Sequence, residues 1–159
     1  MKYKSINELD EFSLHDAELE KVEIQDKNMI WTMRNANVTT KNSQNDNETD
    51  MCVDIMKMAF INAKIKNITW SASETRDDKG NTISKTEAIK VEEELESILK
   101  GSLDKYCSIH GYSLVKELDA RDYIFTMNTG LGVYDMRVMF DEVVAEWDSY
   151  KGEAWYVHV

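Results

Sequence analysis

Apolar and polar residues alternate with a period of two over long stretches of this chain, which is the pattern of half-buried β-strands. Leu19 to Ile24 reads as a strand, Asp26-Lys27-Asn28 as a polar turn, and Met29 to Met33 as the returning strand, with Trp31 and Met33 on one face. Cys52 to Ile65 is a longer run in which Met56, Met58 and Phe60 share a face and the apolar positions then slip by one, to Ala63 and Ile65. A one-residue slip exchanges the faces of a strand, so the spacing predicts a bulge near Ile61-Asn62. The second half repeats the pattern: Tyr134, Met136, Val138 and Phe140 alternate, then Val143, Ala145 and Trp147 follow after a slip at Asp141-Glu142. Leu114 to Leu118 and Tyr123 to Met127 form a second hairpin around Asp119 to Asp122. Ile6 to Phe12 reads as a short helical turn, and Glu153 to Val159 as a terminal strand.

Two short strings reinforce the symmetry. Ile30-Trp31-Thr32-Met33 is echoed by Ile124-Phe125-Thr126-Met127, and Met56-Lys57-Met58-Ala59-Phe60 by Met136-Arg137-Val138-Met139-Phe140. They suggest an internal repeat, over about 13–73 and 108–150. Between the two units, Ser84 with Glu87 has capping-box spacing. Ala88, Val91, Leu95, Ile98, Leu99, Leu103 and Tyr106 then follow helical spacing, so a long amphipathic helix is expected over about 85–107. The expected fold class is α+β: an antiparallel sheet or sandwich of two similar β-units with that helix between them, in a single domain spanning 1–159.

One stretch carries almost no pattern. Arg34 to Asp50 is crowded with Asn, Asp, Ser and Gln and holds few apolar residues. Its composition predicts a long, mobile, solvent-exposed loop, because little apolar burial offsets the entropy of ordering.

Composition narrows function by exclusion. Of 159 residues, 42% are hydrophobic and 31% charged, which is globular, and proline is absent. The formal charge is −11, from 19 basic and 30 acidic side chains. That disfavours nucleic acid and anionic membranes and suits a basic protein partner. No apolar run reaches the length of a membrane span, and the first residues lack the apolar core of a signal peptide. Cys52 and Cys107 are far apart and point to reduced thiols and a cytoplasmic location rather than a disulfide scaffold.

Few residues suggest chemistry. His15-Asp16 places an imidazole beside a carboxylate, as in the ligand pairs of metal-dependent phosphohydrolases, but the chain has only two other histidines, His110 and His158. The competing reading is that the pair fixes the turn into the first strand by hydrogen bonds to backbone. Cys107 lies three residues from His110, a spacing that establishes no nucleophile–base contact, and a cysteine on an amphipathic helix is more often a small core residue. Asp46-Asn47-Glu48-Thr49-Asp50 lacks calcium-loop spacing, and Gly130-Leu131-Gly132 lacks the third glycine of a dinucleotide loop. No catalytic residue, metal site or cofactor is expected. Trp147, Tyr150, Trp155 and Tyr156 cluster late in the chain and are the candidate anchors for a partner.

The opening Phe12-Ser13-Leu14-His15-Asp16-Ala17, with the Met58-Ala59-Phe60-Ile61-Asn62-Ala63 strand, resembles a group of small uncharacterised bacterial proteins. Some small proteins of this general kind are regarded as immunity proteins of toxin systems. The resemblance covers roughly residues 12–65 and brings no catalytic residues. The expected function is therefore non-catalytic binding that sequesters or neutralises a protein partner. A small-ligand-binding β-domain is the alternative, and a metal-dependent hydrolase using His15 and Asp16 comes third.

Overall fold

The computed structural model describes residues 1–117 and 120–159. The first strands are β1 (Tyr3–Ile6), β2 (Phe12–Ser13), β3 (Ala17–Gln25), β4 (Asn28–Arg34), β5 (Asn37–Val38), β6 (Met51–Val53), β7 (Ile55–Ile61) and β8 (Lys64–Trp70). An arm follows with β9 (Ser73–Arg76), β10 (Thr82–Thr86) and β11 (Ile89–Val91). Helix α1 (Leu95–Gly101) and a 3-10 turn at Ser102–Asp104 lead to β12 (Cys107–Glu117), β13 (Arg121–Thr129), β14 (Gly132–Phe140), β15 (Glu142–Trp147) and β16 (Tyr150–Glu153). A second 3-10 turn, Leu9–Glu11, stands where the sequence predicts a helical turn. Leu118 and Asp119, the expected end of one strand and the start of its turn, lie outside the described residues.

Ten strands form one antiparallel sheet in the order β1-β15-β7-β4-β3-β12-β13-β14-β8-β11. The order is symmetric about the short β3–β12 ladder. Outward from it run β4, β7 and β15 on one side and β13, β14 and β8 on the other. Met33 and Met127 thus sit on equivalent strands, β4 and β13, and Phe60 and Phe140 on β7 and β14. Register corrects the second echo by two residues: Trp31 pairs with Met58 and Phe125 with Met136, so Met58 rather than Met56 matches Met136, and Phe60 matches Val138 rather than Phe140. Both first hairpins carry a bulge at the same place. Glu20 is unpaired between Leu19↔Met33 and Lys21↔Thr32, and His110 between Ile109↔Met127 and Gly111↔Thr126.

The slip near Ile61-Asn62 is a corner, not a bulge within one strand. Chain leaving β7 crosses through Asn62-Ala63 to pair as β8 with β14, and chain leaving β14 crosses through Asp141 to pair as β15 with β7. Each unit therefore gives its last strand to the other. Asn62 adopts φ 52°, the left-handed conformation that asparagine tolerates better than most residues. The two wings fold face to face over a core of Trp31, Phe60, Phe125 and Phe140, with Trp31–Phe125 and Phe60–Phe140 ring centroids both 5.0 Å apart. All four rings are buried, each contributing on the order of 2–3 kcal/mol.

The long helix over 85–107 is not formed, which removes the α+β architecture in favour of a mainly antiparallel β fold. Ser84 lies within β10 rather than capping a helix, and Cys107 opens β12. Glu94 adopts φ 57°, which breaks any helix through it, and α1 begins only after that residue. Thr82, Ile83, Thr86, Ile89 and Val91 are β-branched and suit strands. The helical spacing keeps its meaning over α1 alone, where Leu99 is buried and Leu95 and Ile98 pack against the core. The terminal strand is also displaced: β16 ends at Glu153, and Val157 N donates to Ala154 O in a closing turn.

The Asn-rich segment is tied down. A small sheet in the order β16-β6-β5-β2 brackets it. Asn42 and Asn45 are buried. Asn45 Nδ2 donates to Val38 O and Thr49 O at 3.0 and 3.1 Å, and Asn42 Nδ2 donates to Ser5 Oγ at 3.1 Å. Side-chain amides supply contacts that apolar burial does not, and the burial of Asn37, Asn42 and Asn45 overturns the expectation of a solvent-exposed excursion. No described helix is long and apolar enough to cross a membrane.

Candidate functional site

The site begins at the turn Leu14-His15-Asp16-Ala17. Ala17 N donates to Leu14 O at 2.9 Å, and Asp16 adopts φ 66°, a conformation aspartate visits more readily than most residues. Asp16 N donates to Ile109 O at 2.9 Å. His15 Nδ1 lies 2.6 Å from the carbonyl oxygen of His110, the bulged residue of β12. A carbonyl only accepts, so Nδ1 carries the proton and Nε2 faces Asp16 Oδ2 at 3.4 Å. The two imidazoles meet edge to face with centroids 5.2 Å apart. His15 and Asp16 thus couple the entry of β3 to the bulge of β12.

Beside this turn lies an open cleft of about 500 Å³. His15, Asn35, Cys52, Lys151 and Trp155 line it, and Asp16, Glu18 and Glu153 give it an acidic rim. Trp155 is 58% exposed and its ring centroid is 6.4 Å from that of His15. Lys151 Nζ donates to Asn35 Oδ1, and Glu153 pairs with His158. Burial pushes the Cys52 thiol up, the charge of Lys151 pulls it down, and the net shift is upward, so the thiol stays protonated at neutral pH. Cys107 is pushed up to about 11 by burial and opens β12 from a buried position while His110 is exposed, so they form no nucleophile–base pair.

The four late aromatic residues separate. Trp147 is fully buried, stacked on Tyr3 at 5.5 Å and edge-on to Phe12 at 5.9 Å, so it offers no surface to a partner. Tyr150 is half-buried and its hydroxyl donates to Gln44 O at 2.9 Å. Tyr156 is half-buried, its hydroxyl donating to Asp50 Oδ2 at 2.7 Å, and burial followed by that carboxylate pushes it up to about 12. Trp155 alone of the four is presented outward, and the fold brings it to His15 and Asp16, two features the sequence leaves unconnected. Asn35, Cys52 and Lys151 are members of the cleft that sequence reasoning missed. Asp50 explains why: its carboxylate accepts from Thr40 N at 2.9 Å as well as from Tyr156, joining the Asn-rich segment to the C-terminal turn across more than 100 residues.

Among the described residues no group of three His, Cys, Asp or Glu side chains is placed to hold a metal ion. No family model, no curated protein and no solved structure matches this chain.

Proposed function

We propose that this is a non-catalytic binding protein that sequesters or neutralises a basic protein partner, in the manner of an immunity protein. The observation that carries the reading is Trp155, exposed at the mouth of a cleft whose rim holds Asp16, Glu18 and Glu153. An exposed indole in a cleft that also holds three carboxylates suits a lysine or arginine side chain, through cation–π contact and charge. The chain's charge of −11 steers a basic partner toward it. Two free, buried cysteines support a cytoplasmic location.

Paired affinity capture with the wild-type chain and Trp155→Ala tests the reading. A basic protein retained by the first and lost from the second is the expected result. Capture that ignores Trp155, or turnover of a substrate by the purified chain, overturns it. The volume of the cleft favours a second reading, a small ligand held between His15, Lys151 and Trp155. A metal-dependent hydrolase at His15 and Asp16 ranks third, since the described residues bring no third ligand to the pair.

A further inference from the structure

We infer that the arm formed by β9, β10 and β11 is a self-pairing surface, through which two copies of this chain associate about a twofold axis at Thr86. Every residue from Ser71 to Lys90 is exposed. An isolated two-stranded hairpin is marginal in water without further packing, and among the described residues β9 pairs only with β10. Among the described residues no strand pairs with the outer edges of β10 and β11, one at the side of the two-stranded sheet and one at the end of the ten-stranded sheet. Such an edge is a template for another strand.

The order of residues along this edge names the occupant. In an antiparallel pairing centred on Thr86, residues equally spaced on either side face each other. Ile83 then lies opposite the partner's Ile89, and Lys85, which pairs with Glu87 of its own chain at 3.5 Å, lies opposite the partner's Glu87, with the same two pairs repeated by symmetry. The two isoleucines are 66% and 53% exposed in the single chain, so the pairing covers apolar surface that is otherwise wet. The local charge permits it as well. Between Ser71 and Val91 the arm carries four basic residues (Arg76, Lys79, Lys85, Lys90) and four acidic ones (Glu74, Asp77, Asp78, Glu87). The arm from Ser71 to Val91 is neutral in a chain of net charge −11, so two copies meet there without net repulsion from the arm itself, although Glu92, Glu93 and Glu94 follow directly. Glu87 and Ala88 link the two ladders without belonging to either, and Ile83 is bulged relative to β9, so pairing with a second copy requires both places to straighten into regular strand.

Sedimentation equilibrium of the full chain over a range of concentrations tests this. The expected result is a reversible monomer–dimer equilibrium. Lys85→Glu sets carboxylates opposite each other twice and weakens the dimer by at least about fivefold. Adding Glu87→Lys restores opposite charges, and the double variant returns to within about twofold of wild type. All these side chains are exposed, and far-UV circular dichroism checks that each variant is folded. A monomer at every concentration overturns the inference and leaves the edge lysines as guards against aggregation. A dimer on which the single and double variants act alike overturns it too.

Discussion

The side-chain amide of Asn62 donates to the carboxylate of Asp141 at 2.7 Å, at the point where the two halves of the sheet exchange strands. Asp141 N also donates to Ile61 O at 2.9 Å, and Asn62 N donates to Asn28 Oδ1 at 3.0 Å. Two corners separated by almost half the chain are therefore locked to each other. Asn62→Ala should destabilise the fold by about 1–2 kcal/mol, from left-handed strain plus a lost hydrogen bond. Asn62→Gly relieves the strain and should cost less. Urea unfolding of the two variants checks the order, and equal losses would refute the backbone part of the argument.

The Asn-rich segment should exchange its amide hydrogens slowly at Asn42, Ser43 and Asn45, whose N–H groups donate to Thr39 O, Glu8 Oε1 and Asn42 O. Burial pushes the Glu8 carboxyl up, but hydrogen bonds from Ser5 and from the Ser43 side chain and backbone outweigh it and hold the group below its ordinary 4.5. A depressed acid contributes stability above its unfolded pKa and loses it as pH falls through the folded one. Protection at Ser43 should therefore weaken in acid, below about pH 4.5. Glu8→Gln should abolish that pH dependence. Fast exchange across the segment at neutral pH would contradict the structure.

Alkali should unfold the protein from its core. Burial raises Tyr134 and Tyr156 to about 12 from an ordinary 10, and Cys107 to about 11 from 9. Tyr112, its hydroxyl against the carbonyls of Leu9 and Phe12, is raised further. A raised pKa means the fold prefers the protonated form, so this stability is complete below the unfolded pKa and lost as pH rises through the folded one. Stability should be level up to about pH 9 and fall between about 9 and 12. Phenolate absorbance should appear together with loss of structure, and titration of all seven tyrosines near 10 in a folded protein would refute this.

His15 and Trp155 should behave oppositely on substitution. His15→Ala removes the contact to the His110 carbonyl, and because His110 is exposed, water replaces it, so the loss should be about 0.5–1.5 kcal/mol. Trp155→Ala should change stability by less than about 0.5 kcal/mol, as an exposed residue does. Thermal melts of both variants separate structural from binding roles at the cleft. A loss for Trp155→Ala as large as for a core aromatic would show that its ring packs rather than binds.

The sequence by itself determined the strands that bury one face. Alternation at Trp31 and Met33, at Met56, Met58 and Phe60, and at Tyr134, Met136 and Val138 is local, and the inward positions follow from it. The slips at Ile61-Asn62 and Asp141-Glu142 likewise marked both corners. Only the tertiary structure decided which strand pairs with which, because β8 and β15 each have a neighbour in the other half, and a strand's pattern records a buried face but not its partner. It also decided that residues 82–91 extend rather than coil, since a strand exposed on both faces leaves no alternation to read. The order of the Asn-rich segment and the meeting of Trp155 with His15 rest on hydrogen bonds and ring contacts between residues far apart in the chain, such as Asp50 with Tyr156, whose energy exists only once the sheet has brought the two ends together.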